Sequence, residues 1–154
     1  MKRALALGLT PLLILLAGCS GGPSLDLPGL GGRDSEEEKI AKVLNSVHQG
    51  MITRKVYQVM PHVSTRYMDQ EGRDYEAIRA YLNDIVKNYR RIDIQRSAPT
   101  IIIEGDRATA VEAFGTMADP DRNQAPPLNI QGQVSVYLER EDGKWKIVEW
   151  GAIS

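Results

Sequence analysis

Between Ser35 and Tyr89, apolar residues return every three or four positions. Ile40, Val43, Leu44, Val47, Met51 and Ile52 form one series, and Ile78, Tyr81, Leu82, Ile85, Val86 and Tyr89 form another. Such spacing puts each series on one face of an α-helix. Ser35 followed by Glu38 predicts a capping box at the start of the first helix, with Glu36 and Glu37 favourable beside the positive end of its dipole. Gly50 interrupts that helix, as a point of close packing or a kink. A short helix is expected over Lys55 to Met60, ending at Pro61 because a residue before proline avoids the α region. Val63 to Asp69 follows no clear period. Glu71-Gly72 reads as a turn, and Asp74 can cap the helix that carries the second series.

After Arg90 the period falls to two. Ile92 and Ile94 alternate within Arg91 to Gln95, and Thr100 to Glu104 is a β-branched run closed by Gly105-Asp106. Arg107 to Ala118 sets Ala108, Ala110, Glu112 and Phe114 on one face. Leu128 to Arg140 points Ile130, Val134, Val136 and Leu138 one way, and Gln131, Gln133, Ser135 and Tyr137 the other. Asp119 to Pro127 reads as a loop. Glu141-Asp142-Gly143 reads as a hairpin into a last strand, Lys144 to Gly151. Strict alternation there puts Trp145, Ile147 and Glu149 on one side and Val148 and Trp150 on the other. Helices followed by a meander of strands make an α+β domain over residues 35–154.

That order, the Asp-Gly hairpin and the ending Gly143-Lys144-Trp145-Lys146-Ile147 resemble the nuclear transport factor 2-like superfamily, the cystatin-like cone. The resemblance covers about residues 36 to 154. It implies N-terminal helices packed on a curved antiparallel sheet, with a pocket at the wide end of the cone. Members include isomerases, dehydratases, binding modules and dimerisation modules, so the fold leaves function open.

Residues 1–18 read differently. Met1-Lys2-Arg3 is a basic start, and Ala4 to Gly18 is uncharged and mostly apolar. As a helix those residues span about 22 Å, short of the ~30 Å hydrocarbon core, which fits a cleaved signal peptide. The stretch ends Leu16-Ala17-Gly18-Cys19, which resembles the lipobox of bacterial lipoproteins. The resemblance implies cleavage between Gly18 and Cys19 and acylation of Cys19, by palmitate among other chains. Ser20 after the cysteine implies the outer membrane, facing the periplasm, if the host has two membranes. Residues 19–34 are rich in Gly and Pro and read as a flexible tether of roughly 20 Å mean span.

Charge and composition narrow the partners. Lys2 and Arg3 leave with the leader, so 17 of 19 Lys and Arg remain against 20 Asp and Glu. A net charge near −3 offers no footprint for nucleic acid. The single cysteine, Cys19, excludes a disulfide within the chain and is no metal framework. His48 and His62 have no ligand-spaced companions, so neither a metal nor another cofactor is expected.

The candidate chemistry is a set of carboxylates expected to face inward. Glu112 shares a face with Phe114, and Glu149 with Trp145 and Ile147. A carboxylate in an apolar pocket can serve as a general acid or base. By resemblance, the family's enzymes pair such a base with Tyr or His, for which Tyr57, Tyr67 and His48 are available here. The candidate pocket is therefore Tyr57, Tyr67, Glu112, Phe114 and Glu149. Tyr137 and Trp150 are expected on the convex face, as a surface for an envelope protein partner or a second copy of the chain. With few enzyme motifs, the expectation is a non-catalytic, membrane-tethered binding module for a protein, for itself or for a small apolar ligand. The alternatives are a lyase or isomerase centred on Glu112, and an accessory subunit of an envelope assembly.

Overall fold

The computed structural model describes residues 34–122 and 125–154. The leader, Gly18, Cys19 and all of the tether but Asp34 lie outside the described residues, as do Asn123 and Gln124 in the loop before the fourth strand.

Helix α1 runs Glu36–Ile52 and starts as its sequence predicts. Ser35 Oγ accepts from the Glu38 N–H at 3.2 Å, and the Glu38 carboxylate accepts from the Ser35 N–H at 2.8 Å. Its start is also tied to the sheet, since Trp145 Nε1 donates to Glu36 Oε2 at 2.8 Å. Gly50 marks close packing, because a Cβ there would lie 2.6 Å from Val59 Cγ2. Helix α2, Val56–Val59, ends before Pro61 as expected, and the chain then tightens into a 3₁₀ turn, Met60–His62, that takes in the proline. Proline fits there because the first residues of such a turn need no N–H donor. Helix α3, Tyr75–Asn88, is capped by Asp74, which accepts from the Ala77 N–H at 2.9 Å.

Five antiparallel strands complete the domain: β1 Tyr89–Arg96, β2 Thr100–Glu104, β3 Arg107–Pro120, β4 Leu128–Glu141 and β5 Lys144–Trp150. The sheet order is β1-β3-β4-β5, with β2 on the same edge of β3 as β1. The sheet curls around the helices. The core lies between them, with Ile40 and Leu44 of α1 and Ile78 and Leu82 of α3 against Ala110, Val136, Leu138 and Ile147. No described helix is long and apolar enough to cross a membrane.

One departure from alternation shapes everything near the C-terminus. Leu138 pairs with Ile147, but Tyr137 pairs with Glu149 and Val136 with Trp150. Val148 is therefore an unpaired extra residue, a β-bulge, and it reverses the facing of Glu149 and Trp150. Trp150 turns to the helix side beside buried Val136, and Glu149 turns outward beside Tyr137. Beyond β5 the chain continues along β4, where Gly151 N–H donates to Ser135 O at 2.8 Å and Ser154 N–H to Gln133 O at 3.1 Å. The segment 63–68 covers the other edge of β5, with Ser64 N–H donating to Ile147 O and Met68 N–H to Val148 O.

Candidate active site

A cavity of about 610 Å³ lies between the helices and the helix-facing side of the sheet, a size that suits a small molecule. Its lining is mostly apolar, with Val47 and Met51 of α1, Leu82 of α3 and Phe114 and Val134 of the sheet. Into that lining strands β1 and β3 and helix α1 bring a small polar group.

Glu112 comes from β3 and is 8% exposed. Alternation from Ala108 and Ala110 delivers it inward, as the sequence implies. Beside it Arg96, the last residue of β1, donates from Nε at 2.9 Å and from Nη2 at 2.6 Å. Both donors fall on Oε2, and Oε1 takes no hydrogen bond from the described residues. The third nitrogen, Nη1, reaches back to α1, to Leu44 O at 3.2 Å and Asn45 Oδ1 at 3.3 Å. A buried ion pair held on so many sides is worth more as fixed geometry than as net stability. His48, on the cavity side of α1, donates from Nε2 to Ile94 O at 2.8 Å. A carbonyl can only accept, so Nε2 carries the hydrogen of that bond.

A second polar group sits in the turn before α3. Asp69, fully buried in its side chain, accepts from Tyr67 Oη at 3.0 Å, from Arg73 Nε at 2.7 Å, and from the N–H groups of Glu71 and Arg73. Burial pushes the Asp69 carboxyl up, but the Arg73 and Tyr67 hydrogen bonds pull it down further, leaving it below the ordinary carboxylate range. Burial also pushes the Tyr67 phenol well above its usual value. Arg73 lines the cavity, its guanidinium 4.6 Å from the centre of the Tyr81 ring.

Against the sequence-derived set, Glu112 and Phe114 line the cavity as expected. Tyr67 is buried but stands behind the wall, its ring tilted against Trp150 with centroids 5.4 Å apart. Tyr57 is 70% exposed and away from the cavity, because α2 buries only Val56 and Val59 on its inner side. Glu149 is also misplaced by strict alternation: the Val148 bulge sends it outward, where Gln70 Nε2 donates to it at 3.3 Å. The same bulge moves Trp150 from the convex face to the cavity wall. Tyr137 does lie on the convex face and is 37% exposed. Three site residues escaped sequence reasoning. Arg96 was within reach, since the period of Ile92 and Ile94 lands on it next. Asp69 and Arg73 carried no such signal, being joined by a turn with no period. Among the described residues, no cluster of His, Cys, Asp and Glu is placed to hold a metal.

The sequence model for the SnoaL-like domain matches residues 44–152. No curated protein matches the chain. Solved structures do. A candidate scytalone dehydratase from Novosphingobium aromaticivorans superposes with a TM-score of 0.65 at 13% identity, covering 73% of this chain and 79% of its own. A candidate dehydratase of the NTF2-like family from Streptomyces avermitilis gives 0.63 at 10%, covering 74% and 91%. A nuclear transport factor 2-like superfamily protein from Salmonella enterica gives 0.64 at 16%, covering 75% and 87%. At these identities the structural likeness shows the fold alone, and it agrees with the α+β cone expected from the sequence. The match to the SnoaL-like domain points to an enzyme family and overturns the expectation of a non-catalytic module.

Proposed function

The chain belongs to the SnoaL-like domain family, and on that premise we propose that it is a lyase or isomerase that moves protons on a small, mostly apolar substrate. The observation that carries this reading is Glu112: a carboxylate in an apolar cavity, pinned through Oε2 by Arg96, with Oε1 unengaged. Glu112 is the proton acceptor, taking hydrogen from a carbon next to a carbonyl. The electron pair left behind forms the new double bond. In a dehydration it expels a β-hydroxyl, which takes up the proton that Glu112 has just accepted and departs as water. In an isomerisation the proton returns to a different carbon. The apolar lining keeps bulk water away from the intermediate and strengthens each polar contact within it.

The test uses β-hydroxy ketones that lose water to absorbing enones, and β,γ-unsaturated ketones that conjugate. The wild type should accelerate at least one class, and Glu112→Gln should lower that rate by roughly 10²- to 10⁴-fold. A wild type inert toward both classes, or a Glu112→Gln variant with full activity, would refute the assignment.

We also propose that the domain works at the cell envelope, held by acyl chains on Cys19. The order of basic start, apolar run and Leu16-Ala17-Gly18-Cys19 supports this reading. Protein made in a bacterium fed radiolabelled palmitate should carry label and partition with membranes. Cys19→Ser should do neither, and an unlabelled wild type retaining Met1 would exclude the anchor.

A further inference from the structure

The Asp69 turn does no chemistry in the proposed proton transfer, yet it builds part of the cavity wall. Arg73 is held there on two sides. Its Nε donates to Asp69 at 2.7 Å and its Nη2 to Glu71 at 2.7 Å. Tyr81 supports the plane of the guanidinium from one face. Nη1 has no partner among the described residues. Its N–H groups are the donors that this side chain, 29% exposed and lining the cavity, has left to offer.

Charge decides what they would meet. Arg73 is already matched by Asp69 and Glu71, and Arg96 by Glu112. An anionic ligand would bring negative charge among three carboxylates with no cation left unmatched. An uncharged acceptor oxygen meets no such repulsion and still gains a hydrogen bond from a charged donor. We infer that Arg73 is a substrate-orienting residue whose Nη1 donates to a neutral carbonyl oxygen of the substrate, and that Asp69 is the residue that positions it. This rests on the proposed acid–base reading, for which it supplies the substrate class: an uncharged ketone with an apolar body.

The experiment compares binding of 1-tetralone, a neutral bicyclic ketone, with tetralin, the same body without the oxygen. Binding of both is read by calorimetry, and that of 1-tetralone also by quenching of tryptophan emission, since Trp150 lines the same cavity. Arg73→Gln and Arg73→Lys should each lower the tetralone-to-tetralin affinity ratio about tenfold, the ordinary cost of losing a charged donor. Lysine keeps the charge but not the planar fork that grips two carboxylates and still presents a donor. In turnover the same variants should raise KM while leaving kcat near the wild type. Asp69→Asn should lower the ratio in the same direction, without abolishing tetralin binding. Folding of each variant is checked by its thermal melt. A ratio unchanged in both Arg73 variants overturns the inference. Glu112→Gln separates the two claims: it should keep the wild-type ratio while losing turnover. Full turnover in Glu112→Gln with a ratio still dependent on Arg73 would instead remove the catalytic reading.

Discussion

Asp69 shows how much a single buried carboxylate can organise. It receives a phenol, a guanidinium and two backbone N–H groups, so the turn, the Trp150 support and the Arg73 placement all depend on its charge. Its folded carboxyl titrates below the ordinary value, as does that of Glu141, which is held down first by the Ser64 hydroxyl and then by Arg66 against the opposing effect of burial. The folded state therefore binds fewer protons than the unfolded chain. This contribution is complete above the unfolded value near pH 4 and is lost as pH falls through the lower folded values. Urea midpoints should accordingly drop between pH 5 and pH 3. Asp69→Asn should lower stability at pH 7 by about 2–3 kcal/mol and flatten that acid limb. An acid limb as steep in the variant as in the wild type would show that Asp69 is not its source. Little of this was legible in the sequence, because the partners of Asp69 come together only through a turn. Glu112 was legible because period-two alternation carries it. Its partner Arg96 lies a strand away, and such pairings depend on register rather than local pattern.

Helices and strands were read more completely than sites, for a physical reason. Caps, turns and periodicity act within a few residues, so Ser35, Asp74 and Asp142-Gly143 announce themselves locally. Ser35→Ala should remove the hydroxyl half of the capping box, leaving the backbone N–H half to Glu38 in place, and destabilise the domain by about 1 kcal/mol, measured by denaturant unfolding. Gly50→Ala sets two effects against each other. Alanine favours the helix by up to ~1 kcal/mol, yet its methyl would overlap fully buried Val59. Overpacking of that kind costs about 1–3 kcal/mol, so a net loss is expected. Should the variant prove more stable, α1 and α2 are looser than their packing implies. What local pattern could not supply was the bulge. Strict alternation from Trp145 sends Glu149 inward and Trp150 outward, and one unpaired residue reverses both.

Across the whole domain, the helices and the curled sheet do different work. Helix α1 supplies the floor, the His48 ring and two acceptors for Arg96, while β3 supplies the carboxylate between them. The segment 63–68 and the chain beyond β5 close the remaining sides. Both depend on β5, one through its edge hydrogen bonds and the other by direct continuation. The extra residue in that strand thus sets how the domain tolerates changes in length. Deleting Val148 would let Glu149 and Trp150 keep the directions they already have, because the residue removed is the one with no opposite number. Its cost would fall on the Met68 N–H, which would lose the Val148 carbonyl, and so on the footing of Tyr67. Deleting Lys146 instead would put every later side chain out of phase with β4. A shortened protein lacking Val148 should still show indole emission quenched by 1-tetralone, whereas one lacking Lys146 should not.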